Sequence, residues 1–160
     1  MHEQPQKEHE WLAKLVGEWT TEMHASMGPD EPPQVFRGKE TVRSLGGLWT
    51  IGEGEGDTPG GDTGRHVMTL GYDPKKGRYV GTFVASMMTH LWLYDGELDP
   101  SGKKLVLDAE GPSFAGDGTM AKYQDAIEFL DDDHRVLTSR VLGDDGQWTE
   151  FMRADYRRKK

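Results

Sequence analysis

The sequence predicts an all-β protein: an antiparallel up-and-down β-barrel of about ten strands with a short N-terminal plug helix. Three observations carry this. Short runs of alternating side-chain character recur along the whole chain. Gly is abundant, at 21 residues, and clusters with Asp and Pro between those runs, where reversals need it. One helical pattern stands at the start, where Leu12-Ala-Lys-Leu15-Val-Gly17-Glu-Trp19 leads through a glycine into the first strand pattern. No second helix of useful length follows, which argues against a sheet built with crossover helices.

The helix is predicted over 7–16, with Trp11, Leu12 and Leu15 on one side and charges on the other. It should plug one end of the barrel, with Trp19 capping the core floor. Because closure brings the first and last strands together, a cation of the last strand, such as Arg153, should lie near Trp19. Strands are predicted at 18–27, 35–44, 48–55, 65–72, 78–88, 90–98, 103–110, 119–130, 135–142 and 147–157. Asp73-Pro-Lys-Lys-Gly77 and Asp99-Pro-Ser-Gly102 read as tight turns, and Asp131-Asp-Asp133 and Asp144-Asp-Gly146 mark two more. Short connections imply that sequential strands pair. Alternation puts Trp19, Thr21, Met23, Ala25 and Met27 on one face of the first strand, and Tyr79, Gly81, Phe83, Ala85 and Met87 on one face of the fifth. The patterns at 90–98 and 135–142 leave their faces open. Residues 1–160 read as one domain by length.

Composition limits the partners. Lys and Arg number 19 against 28 Asp and Glu, for a net charge of -9. Such a surface repels phosphate backbones and anionic lipid heads, so neither nucleic acid nor membrane is an expected partner. With 0 Cys there is no disulfide framework, thiolate nucleophile or cysteine zinc site. The first eight residues are polar and the apolar runs are short, so a cytoplasmic location is expected.

Seven segments, Gly17-Glu-Trp19, Leu45-Gly-Gly-Leu48, Gly71-Tyr-Asp-Pro74, Tyr79-Val-Gly-Thr-Phe83, Ser86-Met87, Leu98-Asp-Pro-Ser-Gly102 and Phe151-Met-Arg-Ala-Asp-Tyr156, span nearly the whole chain in order. With them the chain resembles a family of uncharacterised bacterial proteins, a domain of unknown function with a lipocalin-like barrel. The resemblance implies a fold and leaves function open. Where the family pattern would have an aromatic-x-acid-Ser-Met run, this chain has Phe83-Val-Ala85-Ser-Met. Ala85 in place of the acid weighs against a carboxylate working in the cavity.

A barrel of this kind is a container, and its expected partner is a small-molecule ligand. Trp49, Phe83, Met87, Trp92, Tyr94 and Tyr123 are the candidate lining, since apolar pockets with a few polar groups bind small molecules and Met adapts to ligand shape. The same residues would equally fill a solid core. A hairpin at 78–98 should set Phe83 beside Trp92 or Tyr94, with Met87 and His90 near its turn. His90 is the best single histidine, as a haem ligand, a general base or a hydrogen-bonded wall residue. Glu40 shares a face with Phe36. It is either an inward carboxylate that anchors a polar ligand group, or a rim residue or structural salt bridge. The Gly-rich run from Gly52 to Gly64 lacks both dinucleotide and phosphate-loop spacing and reads as a mobile hairpin loop, a lid over the mouth. No Gly-x-Ser-x-Gly elbow or metal-ligand spacing is present, so no catalytic residue, metal or cofactor is assigned. The leading function is non-covalent binding of a small, mainly apolar molecule. The alternatives are a haem or metal protein using His90, and a filled barrel acting through its outer surface as a homo-oligomer.

Overall fold

The computed structural model describes residues 2–26 and 32–160. Helix α1 (Lys7–Ala13) precedes ten strands: β1 (Gly17–Ala25), β2 (Gln34–Leu45), β3 (Trp49–Asp57), β4 (Thr63–Asp73), β5 (Arg78–Ala85), β6 (Trp92–Leu98), β7 (Lys104–Pro112), β8 (Met120–Asp131), β9 (His134–Leu142) and β10 (Trp148–Arg158). Every strand pairs antiparallel with its chain neighbour, and β1 closes on β10. The turns form as their residues dictate. The Asp73 carboxylate accepts the Lys75 N–H at 2.9 Å, and Gly77 takes φ 65, which only glycine adopts freely.

The helix is shorter than the 7–16 pattern. Its last turn tightens, with Leu15 N–H bonding Leu12 C=O at 3.0 Å and Val16 N–H bonding Ala13 C=O at 3.2 Å. At its start, His9 Nδ1 accepts the Gln6 N–H at 2.9 Å. Trp11, Leu12 and Leu15 are buried against the barrel floor, where Trp11 meets Tyr79 and Phe129 edge-on. The Trp11 Nε1–H donates to the Gly102 carbonyl at 2.8 Å and ties the plug to the β6–β7 turn. Trp19 is 1% exposed, and its Nε1–H donates to Leu15 C=O at 2.8 Å. The last-strand cation beside it is Arg158, with its guanidinium 4.3 Å from the ring centroid, and not Arg153, which is half exposed and pairs with Asp155. The β1–β10 register decides this by setting Trp19 opposite Arg158.

Two predicted strands are shorter than their patterns. The strand at 78–88 stops at Ala85 and the one at 90–98 starts at Trp92, so Met87 and His90 lie in the connection. Met27 falls outside the described residues. The run from Gly52 to Gly64 is largely strand, not a lid: β3 extends to Asp57, β4 begins at Thr63, and only 58–62 connect them. The reason is steric. Gly52 and Gly54 face inward under larger neighbours, and a Cβ on Gly54 would stand 2.3 Å from the His66 ring. Alternating with them, Glu53 and Glu55 face outward to Arg43 and Lys39, at 3.6 and 3.3 Å. No helix among the described residues is long and apolar enough to cross a membrane.

Candidate functional site

Between the plugged floor and the opposite end, the barrel interior holds a cavity of about 450 Å³. Its wall is aromatic and sulfur-rich: Phe83, Trp92, Phe114, Tyr123 and Phe151, with Met68, Met88 and Met152. Phe83 and Met88 also line a second space of about 190 Å³ on the β1–β4 side. The rings interlock edge to face, Trp92 on Tyr123 at 5.0 Å and Phe114 on Phe151 at 4.9 Å. Glycine makes room for the largest of them, because a Cβ on Gly111 would stand 2.1 Å from the Trp92 ring.

Phe83, Trp92, Tyr94, Tyr123 and His90 all border this one cavity, and Phe83 stands directly opposite Trp92 in the β5–β6 register. His90 holds its place through Nε2, 2.9 Å from the Glu110 carbonyl, with its ring edge-on to Trp92 at 4.7 Å. Three other candidate residues lie elsewhere. Trp49 is on the outer face, 42% exposed and lying over Gly71, because β3 turns Thr50 and Gly52 inward. Met87 is 61% exposed in the β5–β6 connection and reaches only the smaller space. Glu40 points inward, but Arg135 and His66 occupy its oxygens below the cavity. The Ser86 hydroxyl accepts the Arg65 N–H at 2.9 Å.

Two inward-facing polar clusters serve different ends. In the first, Glu40 accepts from Arg135 Nη2 at 3.0 Å and lies 2.9 Å from His66 Nε2. Arg135 is sandwiched between Trp19 and Tyr156, 4.6 and 4.0 Å from the ring centroids. Burial alone would raise the Glu40 pKa, but the His66 hydrogen bond and the Arg135 charge outweigh it and hold the carboxyl below its ordinary value. Every charge here has a partner.

The second cluster faces the cavity. Asp125 on β8 accepts a hydrogen bond from the Tyr94 hydroxyl, and another from the Ser139 hydroxyl at 2.6 Å. All three residues line the cavity. Burial raises the Asp125 pKa, and the two hydroxyls only partly offset it. The Tyr94 hydroxyl is raised well above its usual value by burial and by the neighbouring Asp125. Among the described residues no Lys, Arg or His compensates Asp125.

Sequence reasoning missed Asp125, Ser139, Phe114 and Phe151. One usable signal existed: Tyr123, Asp125, Ile127 and Phe129 alternate with Gln124 and Glu128, which places a lone carboxylate on an apolar inward face. For β9 no such signal existed, because Val136 and Leu137 are both buried. Phe151 escapes alternation because the β10 register shifts between Glu150 and Met152. Among the described residues no group of three His, Cys, Asp or Glu could hold a metal ion.

A family model described as a protein of unknown function, DUF1579, matches residues 4–158. No curated protein matches the chain. Among solved structures, the chain is similar to Rv2717c from M. tuberculosis, at TM-score 0.66 and 11% identity over 98% of this chain and 100% of that one. It is also similar to the S-type phycobiliprotein lyase CPES from Guillardia theta, at TM-score 0.65 and 13% identity over 99% of each chain. A redesigned β-barrel, mFAP0, bound to DFHBI matches at TM-score 0.50 and 12% identity, over 91% of this chain and 99% of that one. At these identities the likeness is one of fold: a lipocalin-like barrel.

Proposed function

The chain belongs to the DUF1579 family, whose description assigns no activity, and we propose from the barrel itself that it binds a small, mainly apolar molecule non-covalently in its cavity. The observation that carries this reading is the space of about 450 Å³, walled by aromatic and methionine side chains and holding one small polar cluster. Small-molecule sites have this composition and size, with apolar area for affinity and a few placed polar groups for orientation. Similar barrels whose structures name a small ligand, such as the one bound to DFHBI, support it as analogy.

An environment-sensitive apolar dye tests the reading. It should bind with a saturable gain in fluorescence and quench tryptophan emission through Trp92. Phe83→Trp should abolish dye binding at modest cost in stability, because a hollow site accepts bulk that a packed core rejects. No dye binding to the parent, together with unfolding of Phe83→Trp, would show a filled barrel and overturn the reading. Native mass spectrometry of protein purified without detergent would show the mass of a retained ligand.

A further inference from the structure

Among the described residues, the cavity wall holds one carboxylate that no cation neutralises. Asp125 sits within an apolar wall, its carboxyl held by the Tyr94 and Ser139 hydroxyls, and the accessible surface it retains faces the cavity. A carboxylate has about four acceptor positions, and two hydroxyl donors leave the others unused. The contrast with Glu40 is direct. That carboxylate is more deeply buried, and Arg135 stands 3.0 Å from it. A buried carboxylate is normally paired with a cation because desolvation is otherwise costly. Asp125 has no such partner among the described residues, and burial raises its pKa accordingly.

The surroundings fit a cation better than a neutral donor. Trp92, Tyr123 and Phe83 present ring surfaces to the same space, and aromatic faces attract organic ammonium groups through their quadrupoles. The chain's net charge of -9 favours approach of cations over anions. Resting on the small-molecule reading above, we propose that the ligand is an organic amine: an apolar body carrying a protonated nitrogen that donates to Asp125 while the aromatic wall takes the rest. Tyr94 and Ser139 position the carboxylate. A neutral alcohol of the same shape would meet the same wall without charge pairing, so the site should rank amine above alcohol.

Two isosteric probes test this: 1-naphthalenemethylamine and 1-naphthalenemethanol, titrated calorimetrically at neutral pH into the full chain and into Asp125→Asn. The parent should bind the amine about tenfold or more tightly than the alcohol, the scale of one charge-assisted contact. Asp125→Asn should lose that preference and keep alcohol affinity within a few-fold. Equal affinities in the parent, or a preference that survives in Asp125→Asn, would overturn the amine assignment while leaving the container reading intact. If neither probe nor the apolar dye binds, the container reading fails and the amine assignment with it. A thermal melt of Asp125→Asn at neutral pH, no lower than that of the parent, shows that any lost preference does not arise from misfolding.

Discussion

Arg158 lies 4.3 Å from the centroid of the Trp19 ring, and the two residues face each other across the β1–β10 seam that closes the barrel. Arg158 also donates to the carbonyls of Val16 and Lys14, at 2.8 and 3.0 Å. One guanidinium therefore covers the floor tryptophan and satisfies carbonyls left bare where the helix ends.

Trp19→Ala should cost about 3–5 kcal/mol in chemical denaturation, the range for emptying a large aromatic core site. Arg158→Ala should cost about 1–3 kcal/mol, because it removes the donor from the carbonyls of Val16, Lys14 and Asp132. Arg153→Ala should stay within about 0.5 kcal/mol, as surface changes do. Equal losses for the two arginines would refute the assignment of Arg158 to the floor.

Glu40→Gln should destabilise by about 3–5 kcal/mol, since it strands the buried Arg135 guanidinium. The pH dependence has a definite sign. The folded Glu40 pKa lies below its ordinary 4.5, so its stabilisation is fully present above about pH 4.5 and is lost as pH falls through the folded value. Urea midpoints of parent and variant should thus differ most at neutral pH and converge in acid. A gap independent of pH would argue that packing, not charge, holds the triad.

Asp125 has the opposite sign. Its folded pKa is raised, so its ionisation disfavours the fold above that value and costs nothing well below the ordinary 3.8. Asp125→Asn should therefore melt above the parent at neutral pH, with the difference fading toward pH 3. A lower melting temperature at neutral pH would mean that the ionised carboxylate is well compensated by its hydroxyl partners.

Gly111→Ala addresses the cavity wall. Its Cβ would lie 2.1 Å from the Trp92 ring, so the ring must move inward, into the open space. We expect a cost of about 1–3 kcal/mol from the displacement, with weaker dye binding because the volume shrinks. Unchanged dye affinity would place the dye elsewhere on the barrel.

The barrel was legible because its signals are local. Alternation over a few residues, Asp73 and Gly77 at a turn, and Trp11, Leu12 and Leu15 on one side of a helix each report a short stretch of backbone. Phe83 and Trp92 could be set side by side for the same reason: one hairpin joins them. The strand ends at Ala85 and Trp92 were not legible, because apolar Met87, Met88 and Leu91 continue the pattern into an exposed connection.

The sequence by itself determined an all-β meander with a plugged floor and an aromatic stretch from Phe83 to Tyr94. Tertiary structure decided what the site contains. Ala85 leaves β5 without a carboxylate at the cavity, and the barrel places one on the wall from β8 instead, held by Tyr94 of β6 and Ser139 of β9. Glu40, which the sequence offered as an inward ligand anchor, a rim residue or a structural salt bridge, pairs with Arg135, 95 positions along the chain. Alternation states which way a side chain points. Only closure of the sheet, which sets strand register and brings distant strands across one interior, decides which charges meet a partner and which face an open cavity.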